Sequence, residues 1–416
     1  MTFNITLAAQ QAQQSCGSIA NLSGAGRKAL LTKIADLLIA NTPNIIAANK
    51  IDLSKAQEQK LSASMLERLA LDANTIEGMA KGVLEVCAQE EVLGSMSHVK
   101  PLPSGITVGK MRIPLGVVAM IYESRPNVTV DAAVLCLKAG NAVILRGGKE
   151  AQASNQALAK ILHEALRESG LPESIVTVIP DPDRAVMQEM LTLSQYIDLV
   201  IPRGGEGLIN YVTQNSRVPV IQHFKGVCHL YVDKDADLTK ALNILENGKT
   251  QRTGVCNALE TLLVHKDIAP DFFALAKELF AQKQVKVHAC EQSLAYFDDA
   301  EIATEDDWHA EYLALEIAVK QLDSYESAVA HIMAYGSGHT EVIVTENLSK
   351  SQRFIKEVNS SVVMVNASSR FSDGSQLGLG AEIGISTSKL HAYGPMGAES
   401  LTTEKFVVMG DGHVRS

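Results

Sequence analysis

Residues 116–151 read GVVAMIYESRPNVTVDAAVLCLKAGNAVILRGGKEA, and this stretch decides the fold class. Residues 116–122 form an unbroken apolar run, the pattern of a strand buried on both faces. A helical stretch over residues 132–138 ends at Gly140, and residues 142–145 (AVIL) make a second buried strand closed by Arg146-Gly147-Gly148-Lys149. The next helix carries Leu158, Ile161, Leu162, Ala165 and Leu166 on one face and stops at Gly170, with Pro172 just beyond. Residues 175–179 and 197–201 read as further strands around a helix at 187–193, and the last strand runs into Pro202-Arg203-Gly204-Gly205. Strands alternating with helices of this length specify βαβ units and a mainly parallel sheet. Such sheets bind ligands at the carboxyl ends of their strands, where both glycine turns lie.

Outward from this block, the first ninety residues read as helices. Leu30, Ile34, Leu37, Leu38 and Ile45 draw one amphipathic stripe across residues 26–48. Residues 97–112 leave the helical pattern as a hairpin-like β excursion, with turn signals at Pro103-Ser104-Gly105. A second α/β segment begins near Leu238. It has a helix at 238–246, a strand at 260–265, a helix around 272–282 and strands at 285–288 and 342–344. Residues 405–409 read as an edge strand. The expected fold class is α/β: two α/β domains with mainly parallel sheets plus a small β flap.

The chain has 416 residues, 46% hydrophobic and 20% charged, which is enough for a large core and argues against disorder. A net charge of −10 argues against broad binding to nucleic acid or anionic membrane, while leaving room for a local cationic pocket. No apolar run reaches the ~20 residues of a membrane span, and MTFNITLAAQQAQQ lacks the features of a signal peptide. Six cysteines, at 16, 87, 136, 228, 256 and 290, show no CxxC pair and no close histidine spacing. They form neither a disulfide framework nor a metal site, so the expectation is a cytoplasmic protein with reduced thiols.

One thiol is placed for chemistry. Cys256 lies in GKTQRTGVCNA (residues 248–258), a polar, glycine-containing segment between a helix and a buried strand. A thiolate attacks carbonyls well and also leaves well; equally, a free cysteine often serves as a small buried hydrophobe. The two glycine turns suit a phosphate-bearing ligand, because bared backbone N–H groups attract anions, although plain strand-to-helix turns look the same. Asn127, in YESRPN, stands at a strand's carboxyl end, where its amide would serve an oxyanion or an Asx turn beside Pro126.

Residues 116–151, together with QRTGVCNALETLLVH (251–265), VNASSRFSDG (365–374) and GLGAEIGISTSKLHAYGPMGAESLTT (378–403), resemble the gamma-glutamyl phosphate reductase family, the proline-biosynthetic branch of the aldehyde dehydrogenase superfamily. The resemblance covers essentially the whole chain, in order. It implies NADPH-dependent reduction of L-glutamyl 5-phosphate to glutamate 5-semialdehyde and phosphate through a thioacyl intermediate on Cys256, with Asn127 as the oxyanion-hole amide. Arg146 falls where the superfamily usually has a cofactor-contacting lysine, and Lys149 near an acidic residue that often holds the adenosine ribose; a cation in place of that carboxylate favours NADP over NAD. Gly204 and Gly205 match the turn that approaches the pyrophosphate. Glu311, in AEYLALE, matches a glutamate that binds the nicotinamide ribose.

The implied domains are 1–96 with 113–233 for the cofactor, 234–380 for catalysis, 97–112 with 399–416 as an oligomerisation flap, and 381–398 as a return segment. Hydrolysing relatives carry a glutamate where this chain has His223, Phe224 or Lys225. Losing that base fits an enzyme whose acyl group is exchanged with phosphate rather than water. The substrate's carboxylate and phosphate need cations, and Arg125, Arg252 and Arg370 are the candidates. The expected partners are the small-molecule substrate, a separate glutamate kinase that supplies the labile acyl phosphate, and further copies of the chain in a homodimer or higher homo-oligomer. Competing readings are a hydrolysing aldehyde dehydrogenase of another substrate, a cysteine hydrolase and a non-catalytic binding protein of the same fold.

Overall fold

A computed structural model describes residues 3–180, 183–222 and 225–415, the side chain of Ser64 excepted. Contacts divide the chain into two units: Met1–Gln222 with Gly378–Ile385 and Pro395–Ser416, and His223–Leu377 with Ser386–Gly394.

The first unit opens with five helices: α1 (Ile5–Ala20), α2 (Gly24–Ala40), α3 (Thr42–Glu58), α4 (Ala63–Leu69) and α5 (Ala73–Ala88). The single stripe expected over 26–48 is thus two helices. Its apolar positions keep their phase across the break, and Leu30, Ile34, Leu38 and Ile45 are all fully buried. Pro43 nevertheless starts a new helix, because its ring has no N–H to continue the old one. A hairpin follows, β1 (Met96–Pro101) and β2 (Thr107–Pro114). Then comes the parallel sheet of β3 (Val117–Tyr122), β4 (Ala142–Arg146), β5 (Val176–Val178) and β6 (Leu199–Arg203), in the order β5-β4-β3-β6. Every residue of β3 is buried, as its apolar run requires. The connecting helices are α6 (Asn127–Lys138), α7 (Gln152–Glu168), α8 (Arg184–Met190) and α9 (Glu206–Asn215). α6 starts five residues earlier than expected, so Asn127 is its first residue.

The second unit is built on a seven-stranded parallel sheet. Its strands are β7 (Cys228–Val232), β8 (Leu259–His265), β9 (Lys286–Ala289), β10 (Glu301–Ile302), β11 (Glu316–Leu322), β12 (Thr340–Val344) and β13 (Val362–Val365), in the order β10-β9-β11-β8-β7-β12-β13. α10 (Leu238–Thr250) links β7 to β8, and α11 (Ala269–Lys283) packs an apolar face of Phe272, Phe273, Ala276 and Phe280 into the core. Because β7 pairs with β8 and β12, the boundary falls before it, not at 233 as expected. The presumed return segment 381–398 also divides: β14 (Gly384–Ser386) and β15 (Gly394–Met396) form a short pair, and the residues around them belong partly to each unit. β16 (Thr402–Met409) finally pairs antiparallel with β2 along eight residues, completing a three-stranded sheet in the first unit.

Candidate active site

In the first unit the expected groups gather at strand carboxyl ends. Tyr122 pairs with Arg203 and Ile121 with Arg146, so the segments leaving β3, β4 and β6 lie side by side. Asn127 is half-buried and sits in no Asx turn. Instead its Nδ2 donates to Asp131 Oδ2 at 3.0 Å, one turn along α6. Burial pushes the Asp131 carboxyl up to about 6, against the pull of Arg203 and the Asn127 hydrogen bond. Arg125 is half-buried in the turn before α6, where its carbonyl accepts from Val128 N.

Arg146 ends β4. Burial lowers its pKa, with repulsion from Arg184 second and Glu150 opposing. Lys149 is exposed at the turn entering α7. A pocket there is lined by Gly147, Gly148, Lys149, Gln152, Ile179 and Pro180 among others. Bared glycine backbone with neighbouring cations is a donor set that fits a phosphate-bearing dinucleotide. At the second turn, Gly205 N, at the start of α9, donates to Glu123 Oε1 at 2.7 Å. A Cβ on Gly204 would touch the same side chain at 2.9 Å. The amide expected to meet a pyrophosphate is therefore engaged by a carboxylate, which sequence reading did not foresee.

In the second unit the candidates lie at strand amino ends. α10 extends to Thr250, so residues 248–250 are its last turn and not part of the loop. Cys256 is half-exposed in the tight turn that follows, with Val255 N bonded to Thr253 O and Ala258 N to Val255 O. Asn257 braces the turn: its Nδ2 donates to Ser372 O at 2.9 Å and its carbonyl accepts from Ser369 Oγ at 2.7 Å. This fixes the one-turn helix that carries Arg370. The half-buried Arg370 has its pKa lowered by burial and then by Arg252, while Asp373 and the Cys256 thiol act the other way. The exposed Arg252 and the Cys256 thiol thus both act electrostatically on Arg370.

Beneath the turn runs Gly226. A Cβ there would lie 2.0 Å from the Cys256 carbonyl oxygen, so only glycine fits. Gly226 N donates to Glu311 Oε1 at 2.8 Å, and Lys225 Nζ donates to the His309 carbonyl at 2.7 Å. Glu311 therefore anchors the backbone under Cys256. His223 and Phe224 lie outside the described residues. Cys228 Sγ donates to the Cys256 carbonyl at 3.2 Å, and burial raises that thiol well above its usual range. Among the described residues Cys87, Cys136, Cys228 and Cys290 are buried, whereas Cys16 and Cys256 are half-exposed.

Sequence reading also missed a buried ion pair. Lys249 Nζ, fully buried in the last turn of α10, lies 2.6 Å from Glu260 Oε2 and 2.8 Å from the Leu259 carbonyl. Glu260 Oε1 accepts from Leu313 N at 3.3 Å. Burial pushes Glu260 up to about 7 and pulls Lys249 down, each against the attraction of its partner. Gly248-Lys249 reads as loop as long as the helix is thought to stop at 246, and that hid the pair.

A model of the aldehyde dehydrogenase family matches residues 3–293. Gamma-glutamyl phosphate reductase of Idiomarina loihiensis is 58% identical over 98% of this chain and 97% of its own, and that of Colwellia psychrerythraea is 58% identical over 99% of each. A crystal structure of gamma-glutamyl phosphate reductase from Thermotoga maritima superposes with a TM-score of 0.97 at 42% identity, covering all of both chains.

Proposed function

The chain belongs to the aldehyde dehydrogenase family, in its gamma-glutamyl phosphate reductase branch, and from this we propose that it reduces L-glutamyl 5-phosphate to L-glutamate 5-semialdehyde and phosphate with NADPH, a step of proline biosynthesis. The observation that carries the covalent part of this reading is Cys256, half-exposed on a braced turn, with its thiol acting electrostatically on Arg370.

The Cys256 thiolate attacks the acyl carbon of the substrate. The carbon–oxygen bond to phosphate breaks, phosphate leaves with the electron pair, and the acyl group remains as a thioester. Asn127 and the Cys256 backbone N–H are the donors that the family resemblance assigns to the oxyanion of this step. Bound NADPH supplies the hydride that reduces the thioester carbonyl. Collapse of the resulting thiohemiacetal releases the aldehyde and returns the thiolate. Covalent capture divides one hard displacement into two easier ones.

Arg125, Arg252 and Arg370 are the candidate cations for the substrate's phosphate and carboxylate. Arg146, Lys149 and the neighbouring Arg184 favour a cofactor bearing a 2′-phosphate, hence NADP. The resemblance adds Gly204, Gly205 and Glu311 to the cofactor assignment, with Gly205 N bonded to Glu123 and Glu311 to Gly226 N as the chain stands. Lys225 is no carboxylate, so it cannot serve as the base that hydrolysing relatives use to activate water.

Assembly as a homodimer or higher homo-oligomer through the three-stranded sheet is supported by its exposed apolar side chains, with Phe406 at 70% and Val408 at 58% exposure. A cytoplasmic setting agrees with free thiols at all six cysteines, and no helix among the described residues is long and apolar enough to cross a membrane. The labile acyl phosphate implies supply by a separate glutamate kinase, with physical association as the route that loses least of it.

Absorbance at the NADPH band tests the reading with semialdehyde, NADP and inorganic phosphate, each omitted in turn. Reduction of NADP that needs all three is expected. A rate indifferent to phosphate would replace this reading with that of a hydrolysing dehydrogenase.

A further inference from the structure

We propose that Asp131 is a positioning residue: it holds the Asn127 carboxamide with its nitrogen, and not its oxygen, turned toward the developing oxyanion. The proposal rests on the reading of Asn127 as the oxyanion donor.

A carboxamide is nearly symmetric in shape, so a flip about its last bond exchanges NH2 for C=O at little steric cost. The flipped form would aim lone pairs at a negative oxygen. Only a partner with one kind of hydrogen-bonding capacity prevents this, and an ionised carboxylate accepts but cannot donate. Asp131 stands one helical turn after Asn127, with Nδ2 to Oδ2 at 3.0 Å. One N–H is used in that bond and the second remains for the reacting oxygen.

Stability alone does not account for this carboxylate. A side-chain pair four residues apart on a helix contributes little to stability, whereas Asp131 is half-buried and burial opposes its ionisation. The charged group facing it from outside α6 is Arg203, at the end of β6. Arg203 is itself held by the Ile383 carbonyl at 3.3 Å. That guanidinium favours the carboxylate form, which is the form that orients the amide.

The decisive experiment compares Asp131→Asn, Asn127→Ala and the double variant, measuring kcat, the KM for semialdehyde, NADP affinity and the melting temperature. In Asp131→Asn the new side chain can both donate and accept, so the restraint is lost. We expect kcat to fall about tenfold, with KM and NADP affinity within about twofold of wild type and the melting temperature unchanged or higher. The double variant should be no slower than Asn127→Ala. Should Asp131→Asn fail to fold, Asp131→Ser removes the same carboxylate with less bulk and carries the same expectations. Wild-type kcat in a folded Asp131 variant overturns the proposal, and so does a double variant slower than Asn127→Ala by the full factor of the second change. Wild-type kcat in Asn127→Ala refutes the oxyanion assignment itself, and the proposal with it.

Discussion

The two parallel sheets put their chemistry at opposite ends. In the four-stranded sheet, Asn127, Arg146, Lys149, Gly204 and Gly205 all follow strands, at carboxyl ends. In the seven-stranded sheet, Gly226, Cys256 and Glu311 all precede strands, at amino ends. The difference teaches where positive charge comes from. A carboxyl end feeds the N-terminus of the next helix, where unpaired backbone amides already attract anions. An amino end receives the chain from a helix C-terminus, whose free carbonyls repel them. α10 delivers the chain to Cys256 in that unfavourable polarity, and the sequence answers with side-chain cations, Arg252 just after the helix and Arg370 on the neighbouring one-turn helix; Lys249, in the last turn, is already paired with Glu260.

The most damaging way to break this contrast is Cys256→Ala. Turnover should vanish while NADPH binding, assigned to the other sheet apart from Glu311, persists in a fluorescence titration; loss of both would mean that the division of labour is false. Next comes the ion pair that fastens α10 to β8. Lys249→Met leaves Glu260 buried without its partner and should cost about 3–5 kcal/mol in denaturant unfolding. Adding Glu260→Leu should recover most of that. Failure to recover would mark the pair as more than a strut.

Asn127→Ala tests the carboxyl-end donor and should lower kcat by about a hundredfold or more, the ~2.7–4 kcal/mol of one oxyanion hydrogen bond. Gly226→Ala tests the amino end without touching any reacting group. The added methyl must displace the Cys256 backbone, and a shift of about 1 Å is enough for a loss on the order of a hundredfold. Normal kcat there would show that the turn tolerates movement.

The smallest effect is on the pH dependence of stability. Asp131 has its pKa raised from 3.8 to about 6, so its ionisation disfavours the folded state. Its contribution is fully present below about pH 4 and is lost as pH rises through 6. Measured against Asp131→Asn, the wild type should therefore lose on the order of 2–3 kcal/mol between pH 4 and 7. A constant difference between the two across that range would refute the shift.

The two sheets also differed in how much the sequence disclosed. β3 and β4 are continuous runs of hydrocarbon, and β4, β6 and their glycine turns stood out at once. The second sheet hides its strands behind polar residues. β7 carries His229, β8 Glu260 and Thr261, and β12 Glu341, all fully buried. In β11, EIAVKQL, the apolar run is broken by Lys320 and Gln321. His229 is paired inside the core with Glu341 at 2.9 Å. Such pairing satisfies a buried charge but erases the apolar signal that marks a strand, so β7 and β11 escaped notice, while the four apolar residues of β13 were simply too short a run to stand out. At the site, Cys256 and Asn127 could be named from motif context. Asp131, Glu123 and Gly226 could not, because their roles follow from where a helix begins or from a backbone contact between segments distant in the sequence.

β2 and β16 carry a consequence for synthesis. β2 lies in the middle of its sheet, flanked by β1 on one side and β16 on the other. A ribosome releases the hairpin early and must translate the entire seven-stranded sheet before Thr402 can meet Pro114. Throughout that interval one side of β2 offers open N–H and C=O groups to any neighbouring nascent chain. Crowded polysomes are thus where this polypeptide is most exposed to mispairing, and slow elongation past residue 380 would lengthen the hazard.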